Sequence, residues 1–146
     1  MYTIGQVAKM FDLPISTLRF YDKEGLFPNL NRVSGIRKFS DAELETIQVI
    51  ECLKQSGLEI KDIKYFIELC SQGSISYPQR KALFEDRKQA VEDELKHIQR
   101  TLAMLQYKCW YYEQAINAGN EDVIYAMLPD HLPENIQKLY DLAHSK

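Results

Sequence analysis

From Phe84 to Ile116 the chain places a seam residue at alternating steps of 4 and 3: Phe84, Lys88, Val91, Leu95, Ile98, Leu102, Leu105, Cys109, Tyr112 and Ile116. Only Lys88 is charged. Such a heptad seam, kept up without a strong breaker between Pro78 and Ala118-Gly119-Asn120, predicts a single helix of roughly forty residues, about 60 Å at 1.5 Å per residue. A helix that long cannot fold back on a small domain and needs a partner along the seam, most simply a second copy of the chain. Ser76 and Gln79 are spaced as a capping box at its start, with Pro78 in the first turn.

The residues ahead of the coil read as a compact head, for which an apolar content of 45% is ample. Thr3 and Gln6 form a capping box, and Ile4, Val7, Ala8 and Phe11 then make one apolar helical face. Asp12-Leu13-Pro14 is a turn. A second helix covers about 15–23, with Ile15, Leu18 and Tyr21 expected to face inward and Gly25 ending it. Ser16, Thr17, Arg19, Phe20 and Lys23 are left pointing outward. An outward Phe beside an outward Arg makes sense if a partner covers that face. Asn29 to Phe39 then carries the turn signal Val33-Ser34-Gly35 between short extended arms, flanked by Arg32, Arg37 and Lys38, which predicts a basic β-hairpin.

Net charge is -3, yet between Thr17 and Lys38 the cations Arg19, Lys23, Arg32, Arg37 and Lys38 face only Asp22 and Glu24. A locally basic surface on an acidic chain, made of an exposed helix and a hairpin wing, suits duplex DNA. The helix enters the major groove, where Arg reaches guanine edges, and the wing cations hold the flanking phosphates.

Two further helices follow. One opens at the Ser40-Asp41-Ala42-Glu43 capping box and ends near Ser56-Gly57, and the next covers about 59–70. Of the three cysteines, Cys70 falls on the expected inner stripe with Ile60, Ile63, Phe66 and Ile67, and Cys109 sits in the seam, so both read as core. Cys52 projects with Glu45, Gln48 and Ser56, away from Ile47, Ile50 and Leu53, and reads as accessible. An odd number of widely spaced cysteines is neither a disulfide framework nor a metal clip. With no signal peptide and no apolar run near 20 residues, the expectation is a cytoplasmic chain with reduced thiols and no membrane partner.

Thr3-Ile4-Gly5-Gln6-Val7-Ala8, Thr17-Leu18-Arg19-Phe20-Tyr21-Asp22, Gly25-Leu26, Arg32, Gly35-Ile36-Arg37-Lys38-Phe39 and Gly57-Leu58-Glu59-Ile60 together resemble the N-terminal domain of the MerR family of bacterial transcription regulators. With the long helix, the resemblance spans about four fifths of the chain. It implies a mainly α fold: a winged helix-turn-helix head over 1–74, an antiparallel coiled-coil dimerisation helix over 75–118, and a short helical tail over 119–146. It also implies a homodimer on an inverted repeat inside a promoter whose spacer is over-long. Kinking and untwisting that DNA realigns the promoter elements, so RNA polymerase is affected indirectly. By similarity Arg19, Phe20 and Tyr21 serve the recognition helix, and Arg32, Arg37 and Lys38 serve the wing. The seam positions Val91, Leu95, Ile98, Leu102, Leu105, Cys109, Tyr112 and Ile116 serve dimerisation.

Metal-sensing members of the family carry cysteines near both ends of the dimer helix. Here those places are Ser76-Tyr77-Pro78 and Asn117-Ala118-Gly119-Asn120, so a thiolate metal site lacks its ligands and no cofactor is expected. The short branch that answers to aldehydes and other electrophiles is similar in having a lone cysteine where Cys52 stands, which marks Cys52 as a candidate sensor in a stress response. The other candidate is a small aromatic or hydrophobic molecule held at a coil–head junction by Tyr107, Trp110, Tyr111, Tyr112 and Tyr125, against simple interface packing of those rings. Two readings outside DNA binding are a coiled-coil adaptor whose head binds protein, against which the basic wing argues, and a thiol enzyme, for which no Cys–His pair lies close in sequence. His97, His131 and His144 are scattered and suggest neither catalysis nor metal.

Overall fold

The first helix, α1 (Ile4–Phe11), is capped as its sequence predicts: the Thr3 hydroxyl accepts the Gln6 N–H at 3.2 Å, and the Gln6 side chain accepts the Thr3 N–H at 2.9 Å. Asp12 ends it in the left-handed region, at φ 51°. A short turn leads to α2 (Ile15–Lys23), which Gly25 closes at φ 82°. Strands β1 (Asn31–Val33) and β2 (Ile36–Lys38) form the antiparallel hairpin. Its two-residue turn has Ser34 at φ 52° and Gly35 at φ 78°. Positive φ at both positions matches the right-handed twist of the strands. A bridge between Tyr2 and Phe39, through hydrogen bonds of 2.7 and 2.8 Å, ties the chain start to the end of the hairpin. Helices α3 (Asp41–Gln55) and α4 (Ile60–Ser71) follow, then a 3₁₀ turn over Gly73–Ser76, α5 (Tyr77–Ala118), α6 (Asp122–Tyr125) and α7 (Glu134–Ala143).

The computed structural model describes residues 1–146 and divides into two units, Met1–Arg87 and Lys88–Lys146. In the first, Val7, Leu18, Tyr21, Leu26, Phe39, Ile47, Ile50 and Ile63 are fully buried or nearly so. α1, α2, the end of the wing, α3 and α4 therefore share one core, in which Phe27 meets Phe39 edge-on at 5.6 Å. In the second unit the tail packs on the coil: Tyr107 and Tyr111 of α5 are buried with Ile124, Leu132 and Ile136. No helix is long and apolar enough to cross a membrane.

Three expectations about local structure need correction. Ile15 is exposed rather than inward, because it is the first residue of α2 and its turn projects beyond the shared core. Ser76 caps nothing at the start of α5: it ends the 3₁₀ turn, fully buried, and its hydroxyl donates to the Leu69 and Gly73 carbonyls at 2.5 and 2.9 Å. The Arg80 guanidinium closes the same turn, donating to Ser76 Oγ and to the carbonyls of Leu69, Cys70 and Gly73. That turn covers Leu69, so Leu69 takes the buried place assigned to Cys70. Cys70 is exposed on the wall of an α3–α4 cleft of about 360 Å³ beside Thr46, Val49, Phe66 and Ile67.

Candidate DNA-binding interface

α2 is held by one side and open on the other. Leu18 and Tyr21 sit in the core, while Ser16, Arg19, Phe20 and Lys23 are exposed and Thr17 is half-buried. Phe20 is 44% exposed, a large apolar ring next to a cation. The outward face drawn from helical periodicity is therefore present, with Arg19 and Lys23 in no ion pair.

Tyr21 is not on that face. It is 1% exposed, its hydroxyl donates to Glu51 Oε1 at 2.6 Å, and it accepts from Lys54 Nζ at 2.7 Å. The period of α2 turns it inward, where α3 takes up its hydroxyl. Burial first, and then the Glu51 carboxylate, push its phenol above the ordinary range. The hydrogen bond to Tyr21 pushes the Lys54 ammonium up as well. The Tyr21 side chain fixes the angle between α2 and α3 instead of reaching outward.

The wing is tied to α2. Asp22 Oδ2 accepts from Arg32 Nη2 and from Arg37 Nε, both at 2.7 Å. Side-chain exposure is 12% for Asp22, 26% for Arg37 and 47% for Arg32. The register makes the need for this anion clear: Arg32 and Arg37 are direct cross-strand partners, and like charges placed opposite each other destabilise a hairpin. Asp22 neutralises that pair and locks the wing against the C-terminal end of α2. Neither the charge balance of 17–38 nor the Thr17–Asp22 motif discloses this role of Asp22. The signal that reveals its role is the pairing of two arginines across a two-residue turn. Lys38 is half-buried on β2 and in no ion pair, so Arg19, Lys23 and Lys38 are the free cations of the surface, and Arg32 and Arg37 are shared with Asp22.

The family model for MerR helix-turn-helix regulatory proteins matches residues 2–69, the segment that builds this helix pair and wing. A helix-turn-helix transcriptional regulator of Haemophilus influenzae is 38% identical over 120 residues, 82% of this chain and 89% of that protein. The chain belongs to the MerR family. The regulator AdhR of Bacillus subtilis is 36% identical over 87 residues, 59% of this chain and 62% of AdhR. The crystal structure of HiNmlR, described as a MerR family regulator lacking the sensor domain and bound to promoter DNA, superposes with a TM-score of 0.61 at 36% identity. It covers 84% of this chain and 98% of that one. These relatives are transcriptional regulators, and this MerR family member is one too, not an enzyme.

For a MerR family chain the remaining predicted positions fall as follows. Val91, Leu95, Ile98, Leu102, Leu105, Tyr112 and Ile116 are all exposed along α5, as is Cys109. Cys52 is exposed on α3, as its projection predicts, but Cys70 shares that exposure. The aromatic group divides. Tyr107, Trp110 and Tyr111 pack with the tail, whereas Tyr112 lies exposed on the seam. Tyr107, Tyr111 and Tyr125 line a cleft formed by α5 and the tail within the second unit. No cluster of His, Cys, Asp and Glu has the makings of a metal site.

Proposed function

We propose that this MerR family regulator acts as a homodimer that reads a dyad operator within a promoter of over-long spacer and controls transcription by distorting it. The observation that carries the reading is the one-sided mounting of α2: Leu18 and Tyr21 are locked in the core, so Arg19 and Phe20 are presented outward on a rigid base. A helix fixed in this way enters a major groove with little ordering cost, and Ser16, Thr17, Arg19, Phe20 and Lys23 form its contact face. Arg32, Arg37 and Lys38 on the strapped wing reach the flanking phosphates, adding affinity without sequence reading. The exposed seam from Val91 to Ile116 supplies the second copy, and two copies explain a dyad. HiNmlR, solved on promoter DNA, supports the same assignment.

Exposure alone does not assign the signal to Cys52, because Cys70 has it too. The electrophile reading stands as a proposal for Cys52 in particular, on its place in α3 ahead of the Gly57-Leu58 turn.

A mobility-shift titration on the promoter of the chain's own gene tests the DNA reading. Arg19→Ala should weaken specific retention by about 10- to 100-fold, the discrimination one bidentate Arg–guanine contact gives, with non-specific binding retained. An unchanged shift refutes the contact assignment.

A further inference from the structure

The second unit holds a cleft of about 380 Å³ between α5, α6 and α7. Four tyrosines line it, Tyr107, Tyr111, Tyr125 and Tyr140, with Lys108 and His144 at its edges. That volume falls in the range of small-molecule sites, which are concave, mostly apolar and carry a few placed polar groups.

Among the polar groups of this cleft, the Tyr107 hydroxyl makes no hydrogen bond and the exposed Lys108 ammonium makes no ion pair. Tyr107 is 3% exposed, and its ring meets Trp110, Tyr111 and Tyr140 at centroid distances of 6.3, 6.0 and 5.3 Å. Its hydroxyl makes no hydrogen bond, yet no fully enclosed side-chain N or O is unsatisfied. The small part of Tyr107 that remains accessible therefore includes that hydroxyl, and Tyr107 is one of the residues that line the cleft. A tyrosine this buried ordinarily finds a partner for its O–H. Burial first, and then Tyr140, hold the phenol above its ordinary range, so at neutral pH it is a donor. The second group is the Lys108 ammonium. It lies 5.7 Å from the Tyr107 ring centroid and 5.3 Å from that of Tyr111, and it is in no ion pair. Tyr111 is already occupied, donating to Glu121 Oε1 at 2.6 Å, and serves as a fixed wall. No carboxylate lines the space.

We infer that this cleft binds a planar aromatic acid, its ring stacked among the tyrosines and its carboxylate between the Tyr107 hydroxyl and the Lys108 ammonium. A carboxylate satisfies both groups at once, and the ring walls suit a flat apolar body. At about 100° per residue on α5, Tyr107 lies about 160° from Cys109 and 140° from Tyr112, and Tyr111 about 160° and 100°, so both rings face away from the seam, while Lys108, about 40° from Tyr112, borders it. The inference stands independently of the DNA reading.

Fluorescence of Trp110, the only tryptophan, reads the site, because its ring stacks on Tyr107. Titrating the full chain with 1-naphthoate should give a saturable change, with 1-naphthamide and hexanoate at least about tenfold weaker, since the first lacks the charge and the second the ring. Tyr107→Phe should weaken naphthoate about tenfold, as for loss of one hydrogen bond to a charged group, and should leave the thermal unfolding curve unmoved because that hydroxyl has no protein partner to lose. Lys108→Met should weaken it similarly. No saturable change up to about 10 mM, a limit near the weakest measurable affinities, overturns the inference, as does equal binding of naphthoate and naphthamide or full affinity in both variants. Operator binding measured in parallel is expected to survive both substitutions, which separates this result from any failure of the DNA assignment.

Discussion

Asp22→Asn removes the charge that strapped the wing to α2 while keeping the side chain's shape. Asp22 Oδ2 receives Arg37 Nε and Arg32 Nη2 at 2.7 Å each. The Arg37 bond is largely shielded, with side chains 26% and 12% exposed, and a charge-assisted bond of that kind contributes about 1.5 kcal/mol. Arg32 is 47% exposed, so solvent screening reduces its share to about 0.5 kcal/mol. Once the carboxylate is gone, Arg32 and Arg37 remain directly opposite in the hairpin register, a repulsion of roughly 0.2–1 kcal/mol. The asparagine oxygen still accepts one neutral bond and recovers part of this. The expected net loss is about 1–2 kcal/mol, which lowers the urea midpoint by about 0.5–1 M at an m value near 2 kcal/mol/M.

The same substitution sets two effects against each other on DNA. One local anion disappears, which favours phosphate contact, while the wing loses its tether and must be ordered on binding. If a freed guanidinium gains a phosphate, the slope of log affinity against log salt steepens by up to about 0.9. Affinity should then hold at low salt and fall below wild type near physiological salt, where the gained charge is screened and the ordering cost is not. Urea melts at neutral pH and mobility shifts across a salt series read both. An unmoved midpoint would refute the strap, and a salt slope equal to wild type with unchanged affinity would refute its bearing on DNA.

Two other perturbations test the packing. Leu102→Glu places a charge in the middle of the exposed seam, where a buried unpaired carboxylate opposes association by several kcal/mol; light scattering at micromolar concentration should read the dimer mass for wild type and the monomer mass for the variant, and equal masses would remove the seam from the interface. Tyr21→Phe loses the bonds to Glu51 and from Lys54, at a cost of about 1–3 kcal/mol at neutral pH. It also changes alkaline behaviour. Tyr21 and Lys54 both have folded-state pKa values above their unfolded ones, so their contribution is complete below about pH 10, and it is lost as pH rises through the folded values because the unfolded chain releases those protons first. The variant's stability should fall less steeply above pH 10 than wild type, and parallel curves in urea melts at pH 7, 9.5 and 11 would show that the triad carries no such linkage.

The features legible in the sequence are those written in a short window. The Thr3–Gln6 and Ser40–Glu43 boxes join residues three apart, and both form, Glu43 accepting the Ser40 N–H at 2.8 Å. The outward Arg19 and Phe20 follow from the period of one helix whose inner residues are apolar. What was illegible depends on chain that returns from elsewhere. Ser76 looks like a cap because its spacing to Gln79 is right, yet Leu69 and Arg80 capture its hydroxyl. Cys70 looks inward because it continues a stripe of helix α4, but the returning 3₁₀ turn covers Leu69 instead. Asp22 is ten and fifteen residues from its arginine partners, beyond any local rule, and only the hairpin register explains why it is needed.

α5 shows most clearly why one periodic signal was not enough. Over 88–100 the side away from the seam carries Glu92, Asp93, Lys96 and Arg100, as a solvated outer face of a coiled coil should. From Ala103 onward that side becomes Ala103, Tyr107, Trp110, Tyr111 and Ala115, while the seam continues through Leu105, Cys109, Tyr112 and Ile116. A helix apolar on both sides must be covered on both sides. The heptad accounts for one covering. The tail, with Ile124, Leu132 and Ile136 against Tyr107 and Tyr111, accounts for the other. The stripe opens at Ala103, and the tail packs on it, with Ala143 reaching back beside His97 and Arg100; Tyr107 and Tyr111 line the cleft formed with that tail. With Cys109 and Tyr112 exposed on the seam and the tail packed around Tyr107 and Tyr111, one helix turns two distinct apolar sides to two different coverings.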